Sequence, residues 1–332
     1  MTCDVAVIIV SWNVRALVLD ALRTLYSDLA ASTLHAEVWV VDNASADGSV
    51  DAIRAEFPAV NLIASAENLG FGGGNNAALR AIGFRDTPGL LAGDAIAELP
   101  RAVFLLNADT RVLPGALQCL ADTLHTLPDA GIVGAQLCYG DGRFQDGAFA
   151  VPGLVQIVID LFPLGWLPGR LRGALYNSRL NGRYPRRWYA AGRAFPVGHT
   201  LGATMFMRRE AILASGLFDE QFFMYCEEID WSVRIRRAGW RIYCQPGAHI
   251  VHLGGQSTSQ IRVQSTVNLW RSRLRFYRKH YSRPKAWLAR RLVMMGAALR
   301  IRQARRLPAD QQAGTVEAYQ AVRDLVGHDA LQ

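Results

Sequence analysis

Residues 5–10 read VAVIIV, a continuous apolar run in which five of six side chains are β-branched. Such a run is short for a buried helix and has no polar face, so it fits a strand covered on both sides, as strands of a parallel sheet are. The unit then recurs. Leu17, Leu22, Leu25 and Leu29 fall at helical spacing over 15–29, and a second strand is expected at 38–41. A helix at 50–57, a strand at 60–63 and a helix at 77–82 follow, then strands at 102–106 and 131–138 around a helix at 117–127. Strand and helix in alternation give a doubly wound α/β fold with a mostly parallel sheet, which binds ligands beyond the carboxyl ends of its strands. The polar stretches Ser11-Trp12-Asn13, Asp42–Ser49 and Asn68–Asn76 therefore fall on one edge, and Asn107–Thr110 stops the fourth strand.

A chain of 332 residues with 51% hydrophobic and 19% charged composition has material for a large core, which excludes disorder as the default. Its formal net charge of +8 asks for an anionic partner: a phosphorylated substrate, a membrane surface or nucleic acid. Arg and Lys concentrate at 170–193 and 262–306, so the expected division is a catalytic domain over 1–260 and a basic helical extension over 261–332. Within the domain, the end of the fourth strand near 110 divides 1–110 from 111–260. The five cysteines include no C-x-x-C pair and read as free thiols of a reducing compartment. Asp4 stands where a leader would be basic, and no run approaches the ~20 apolar residues of a membrane span. A cytoplasmic protein, at most lying on the inner face of the cell membrane, is expected.

The segment FFMYCEEIDW gathers Glu227, Glu228 and Asp230 within four residues. On a helix beginning near Tyr225, Glu227 shares a face with Asp230 and Trp231, while Glu228 projects about 100° away. One face can then hold the helix while the other acid points into a cleft. Arg234, Arg236 and Arg237 offer the plainer reading of a surface helix with acid-to-Arg pairs. The glycines of NLGFGGGNN do not follow the first strand, so they are not a dinucleotide fingerprint. They still suit a close backbone approach to a diphosphate at a helix start, or to a packed neighbour. Asp109, at the end of a central strand, can ligate a hard cation such as Mg²⁺ or Mn²⁺ that brings phosphates with it.

In order along 5–281, VVDNASADGS, NLGFGGGNN, FLLNADT, GATMFMRRE, FDEQFFMYCEEIDW and HIVHLGG make the chain resemble a family 2 glycosyltransferase of the GT-A fold, most like the bacterial rhamnosyltransferase branch. The resemblance implies an inverting, metal-dependent transfer of a sugar from a nucleotide diphosphate to a hydroxyl acceptor, with 1–110 as the nucleotide-binding half and 111–260 as the acceptor and catalytic half. It places Asp42 on the base or ribose, with Ser11 and Asn13 lining that pocket and Asn68, Gly74 and Asn75 on the donor side. Asn107-Ala108-Asp109 stands where the family has D-x-D. Asn107 replaces the first acid, so Asp109 is the metal ligand there and His252 completes the site, its ring neutral. Glu228 matches the catalytic base, with Glu227 as the alternative, and Gly202, Ala203, Asp230 and Trp231 border the acceptor and donor. One carboxylate suffices for this chemistry, which separates it from a hydrolase with paired acids.

By resemblance the favoured donor is dTDP-L-rhamnose, with UDP-linked sugars open, and the acceptor is a cell-envelope glycan or a lipid-linked one. Trp287, Leu288, Leu292, Met295 and Leu299 recur near helical spacing among arginines, as in a helix at an anionic membrane interface or one packed on protein, including a second copy of the chain. Two other functions compete. A sugar-nucleotide-binding protein without catalysis would explain Asn107. A nucleic-acid-binding protein would explain the basic tail, but no RNA- or DNA-binding module is recognisable.

Overall fold

The computed structural model describes residues 3–89, 93–254, 262–306 and 308–328. Gly255, the last residue of HIVHLGG, and the expected domain boundary at 260 lie outside them, as do residues 90–92 of the stretch before the fourth strand. The chain opens with β1 (Val5–Ser11), α1 (Arg15–Ala30), β2 (Ala36–Asp42), α2 (Ser49–Glu56), β3 (Asn61–Ala64) and α3 (Gly70–Ile82). It continues with α4 (Asp94–Ala97), β4 (Ala102–Asn107), β5 (Thr110–Val112), α5 (Ala116–Thr126), β6 (Ala130–Cys138), β7 (Phe144–Gln145) and β8 (Ala148–Phe149). Next come α6 (Leu154–Leu161), α7 (Gly169–Tyr176), a 3-10 turn (Arg179–Asn181), α8 (Arg186–Ala190), β9 (Phe195–Val197), β10 (His199–Thr200) and β11 (Thr204–Arg208). The last elements are α9 (Arg209–Ser215), α10 (Glu227–Arg237), β12 (Arg241–His252), α11 (Arg262–His280), α12 (Arg283–Ala304) and α13 (Ala309–His328).

Two compact units share the chain. The first, residues 1–149, 186–221 and 227–257, is built on a ten-stranded sheet in the order β3-β2-β1-β4-β11-β6-β12-β5, with β7 on β6 and β9 on β12. Strands β3, β2, β1 and β4 run parallel, and β11 enters antiparallel between β4 and β6. The VAVIIV run is at the centre of the parallel part, and Val5, Ala6, Val7, Ile8 and Ile9 are all fully buried. Strand β12 pairs parallel with β6 in two stretches. Gln245 lies opposite Ala135 and His249 opposite Gln136, so residues 246–248 bulge out of the ladder. Gln245 holds the bulge, its Oε1 accepting from the Gly247 N–H (3.0 Å) and its Nε2 donating to Thr123 Oγ1 (2.7 Å).

The glycine-rich stretch is helical from Gly70 and is not a loop leading into a helix at 77. Glycine is a weak helix former, and packing decides here. A Cβ on Gly74 would stand 2.8 Å from Val10 Cγ1, so α3 approaches β1 more closely than any side chain allows. Helix α10 begins at Glu227, two residues later than the sequence pattern places it, because Tyr225 (φ 69°) and Cys226 (φ 65°) both turn left-handed first. All five cysteines are free thiols.

The second unit, residues 150–185, 222–226 and 258–332, is helical and larger than the C-terminal extension alone. Helices α11, α12 and α13 pack on one another, and α6 packs on α12. Gly296 makes the last contact close: a Cβ there would meet Leu161 Cβ at 2.5 Å. Inside, Arg273 Nη1 pairs with Asp160 Oδ2 at 2.6 Å, and burial pushes the Tyr281 hydroxyl up to about 12. Residues 222–226 are held by buried Phe222 and by Ser272 Oγ, which donates to the Met224 carbonyl (2.7 Å). No helix among the described residues is long and apolar enough to cross a membrane.

Candidate active site

The site residues come together because parallel strands end in register. Ser11 on β1 lies opposite Asp42 on β2, while Val10 lies opposite Asn107 on β4. The Asn107 N–H donates to the Ala203 carbonyl at 3.1 Å, which adds the start of β11 to the row. Asp42 is 1% exposed; its Oδ2 accepts from the Ser45 N–H (2.8 Å), whereas its Oδ1 has no partner among the described residues. Ser11 Oγ and Asn43 Oδ1 are likewise buried and unpartnered there. A buried polar atom left unmade costs about 1–3 kcal/mol. Three of them at adjoining strand ends are what a polar ligand such as a nucleoside would satisfy.

Other loop polars are already used by the fold. Asn13 Oδ1 accepts from the Ala46 N–H (2.8 Å), and Asn68 Oδ1 accepts from the Gly70 N–H (2.9 Å) at the start of α3. Asn75 Nδ2 donates to the Phe71 carbonyl (2.9 Å), and Asn43 Nδ2 to the Gly70 carbonyl (3.0 Å), tying α3 to β2. These bonds, with the close approach of Gly74 to Val10, hold the loops beside the strand ends.

A second group forms where β4 turns into β5. Thr110 lies opposite His252 on β12, and the Leu253 N–H donates to the Asp109 carbonyl (3.0 Å). His252 Nε2 is then 3.4 Å from Asp109 Oδ1 and 3.5 Å from Asn107 Nδ2. On its other side, His252 Nδ1 lies 3.2 Å from Gln145 Oε1. The tautomer protonated at Nδ1 donates to Gln145 and turns the Nε2 lone pair toward Asp109, the orientation that an imidazole ligand needs. Among the described residues no group of three or more His, Cys, Asp or Glu gathers for a metal. Two donors suit a hard cation that takes its remaining ligands from phosphate oxygens and water.

The acidic helix supplies the third part. Glu227 and Asp230 are 4% and 0% exposed, while Glu228 stays partly open to solvent, as the helix phase predicts. Burial pushes the Glu228 carboxyl from its ordinary 4.5 up to about 7, against the opposing pull of the Glu228 and Ile229 amides. Gly202 adjoins it: a Cβ there would stand 3.6 Å from Glu228 Cβ and 3.3 Å from Phe71 Cζ. Asp230 accepts from Arg234 Nε (2.9 Å), whose other nitrogens donate to the Ser215 and Leu217 carbonyls. Trp231 is fully buried, and its Nε1 donates to Ser215 Oγ and the Gly216 carbonyl. These two residues anchor α10 and do not border the opening.

Gln145 and Phe71 were not singled out by the sequence. Gln145 sits in a two-residue strand, too short for any period, and Phe71 is hidden among glycines. A polar residue directly after an aromatic one before a turn is a weak signal.

Comparison with known proteins narrows the chemistry. Residues 3–283 match the family described as Glycosyltransferase like family 2. The N-acetylglucosaminyl-diphospho-decaprenol L-rhamnosyltransferase of Mycobacterium tuberculosis is 30% identical over 247 residues, 72% of this chain and 73% of that protein. The low-salt glycan biosynthesis hexosyltransferase Agl10 of Haloferax volcanii is 26% identical over 274 residues, 81% of this chain and 73% of that one. Mannosyltransferase PcManGT from Pyrobaculum calidifontis, solved with GDP-Man and Mn2+, is 17% identical and aligns over 100% of this chain and 88% of its own with a TM-score of 0.51. GalNAc-T7, solved with UDP, GalNAc and Mn2+, is 14% identical with a TM-score of 0.53 over 76% of this chain and 43% of its own. At these identities the structures show the fold, a mixed, mostly parallel sheet of the GT-A kind.

Proposed function

The chain belongs to the glycosyltransferases described as like family 2, and from that premise we propose that it transfers a sugar with inversion from a nucleoside diphosphate to an acceptor hydroxyl, with Glu228 as the base. The observation that carries this reading is the Glu228 carboxyl, pushed up to about 7 beside Gly202, the residue before Ala203 of the row of strand ends. A base poised near neutral pH is both ionised enough to act and strong enough to take a proton.

Glu228 accepts the acceptor's hydroxyl proton as that oxygen bonds to the anomeric carbon. The bond from that carbon to the diphosphate oxygen breaks, and its electron pair leaves with the diphosphate. Glu227, one position earlier and facing inward, is the internal alternative. Asp42, Ser11 and Asn43 offer the nucleoside its hydrogen-bond partners, and the glycine-rich start of α3 passes close by. Asp109 and His252 fit Mn²⁺ or Mg²⁺, which when bound supplies positive charge to the diphosphate. Gln145 holds the His252 ring, and Asn107 presents an amide beside it.

The Mycobacterium tuberculosis relative acts, by its name, on N-acetylglucosaminyl-diphospho-decaprenol and transfers L-rhamnose. We therefore favour dTDP-L-rhamnose as donor and a lipid-linked glycan as acceptor. The test is thermal stabilisation by a panel of nucleotide sugars with and without Mn²⁺, followed by transfer to a polyprenyl-diphosphate sugar. Metal-dependent stabilisation by one donor and product formation support the reading. Stabilisation without turnover would make the chain a binding protein.

A further inference from the structure

We propose that the helical unit docks on an anionic lipid bilayer through the outward stripe of α12 and the segment around α7. Exposed large apolar side chains concentrate in this unit: Trp166 (77%), Leu180 (60%), Leu171 (59%), Trp287 (58%), Met295 (57%) and Leu288 (42%). On α12 the exposed positions 284, 288, 291, 295, 298 and 302 recur every three or four residues, with exposed Trp287 beside Leu288, which makes one continuous stripe along the helix. The opposite face, through Val293, Gly296 and Ala297, is buried within the unit. The outward stripe thus sets uncovered Leu288 and Met295, with Trp287 beside them, among Arg291 and Arg302.

Helix α7 makes the same point from another direction. It has eight residues and none of them is buried. A helix this short is not stable in water by itself, and packing normally holds it. The stretch bearing Trp166, Leu171 and Leu180 exposes its apolar side chains where protein would ordinarily cover them. Arg170 and Arg172 are interleaved with them.

Charge identifies the occupant. The helical unit carries 19 Arg and Lys against 5 Asp and Glu, whereas the sheet unit carries 17 against 23. No acid occurs from Trp231 to Ala309, so α11 and α12 contain none. A second copy presenting the same face would meet its own positive charge. Nucleic acid would match the charge but would leave Leu288 and Met295 uncovered. A bilayer interface covers both, since acyl chains take the apolar groups while lipid phosphates take the guanidinium groups. Arg291 lies 5.2 Å from the Trp287 ring, a pair suited to headgroup depth. Because no described helix can span a membrane, the unit lies on the surface.

The inference goes beyond the transfer reaction and is tested without donor or acceptor. The full chain is sedimented with vesicles of phosphatidylcholine plus phosphatidylglycerol, and with phosphatidylcholine alone. Two double variants accompany it, Trp287→Ala with Leu288→Ala, and Arg291→Glu with Arg302→Glu, all at exposed positions. Binding is expected to the anionic vesicles only, with quenching of tryptophan fluorescence by brominated lipid. Each basic residue near such a surface strengthens binding roughly fivefold, so reversing two should weaken it by more than about 25-fold. The apolar variant should lose both binding and quenching while keeping the wild-type melting temperature. Undiminished vesicle binding by both variants overturns the proposal. So does a wild-type dimer that the apolar variant turns into monomer without change in vesicle binding, or binding to duplex DNA that the variants lose while vesicle binding persists. Nucleotide-sugar binding is read separately, so its failure counts against the transferase reading alone.

Discussion

Replacing Glu228 by Gln separates its chemical role from its structural cost. The side chain's burial raises its carboxyl from 4.5 to about 7, a difference of about 2.5 pH units. At ~1.4 kcal/mol per unit the ceiling on the penalty for holding the ionised form folded is about 3.5 kcal/mol. Remaining solvent exposure reduces this to ~1–2 kcal/mol. The sign follows from proton linkage: between pH 4.5 and 7 the folded state holds more protons than the unfolded one. Wild-type stability contributed by this group is therefore full below pH 4.5 and lost as pH rises through 7. An amide does not ionise, so Glu228→Gln should melt at the wild-type temperature near pH 4.5 and a few degrees higher at pH 8, about 2–4 °C per kcal/mol. Single-turnover transfer with saturating donor should fall about 10²–10⁴-fold, with donor binding unchanged. Wild-type turnover should itself rise with pH through about 7. A variant that keeps turnover within a few fold would refute the base role, and one whose melting difference is the same at both pH values would refute the raised carboxyl. Loss of turnover in Glu227→Gln with activity in Glu228→Gln would move the base one residue earlier.

Asp109→Ala should abolish the Mn²⁺ dependence of donor binding, because Asn107 supplies no second carboxylate; calorimetry with and without metal decides it. Gln145→Leu frees the His252 ring, and Mn²⁺ affinity measured by electron paramagnetic resonance should drop about 10–100-fold while the melting temperature of the metal-free protein holds. Gly74→Ala forces a Cβ to 2.8 Å from Val10 Cγ1 and should lower stability by about 1–3 kcal/mol in urea. Arg234→Met removes the cation beside fully buried Asp230 and should cost about 3–5 kcal/mol, read from the denaturant midpoint.

What could be read from the sequence was whatever repeats. The strands at 5–10, 38–41 and 102–106 are each apolar runs with polar stops, and the structure places them side by side in the parallel part of the sheet. Helix phase alone put Glu227 and Asp230 on one face and Glu228 on another, and the structure buries the first two while Glu228 stays partly open. Proximity of Asp109 and His252 was not visible in any local pattern, since 142 residues separate them and the antiparallel pairing of β5 with β12 joins them. The glycine-rich stretch misled because helix propensity opposes what its contact with β1 imposes. Trp231 sits one position after Asp230 on the same short helix, yet tertiary packing takes its ring to Ser215 and away from the opening. Residues 144–194 mix aromatic, Pro and Arg residues without a clear period, and the place of 150–185 in the helical unit depends on contacts made with residues more than a hundred positions later.

The bulge at 246–248 divides β12 into two independently registered pieces. Residues before it are fixed by β6 and β9, and residues after it by β6 and β5. If Pro246, Gly247 and Ala248 were removed, Gln245 opposite Ala135 would be followed at once by His249 opposite Gln136, which is already the order of the ladder. Gains and losses of chain length can thus be absorbed there without moving His252. A single residue added between His249 and His252, or between Asn107 and Thr110, has no such outlet: it would turn the imidazole or its opposing turn to the other side of the sheet. Insertions before His249 should leave the pairing of Asp109 with His252 in place and insertions after it should break it, and a scan of one-residue insertions along 241–252 would draw that line.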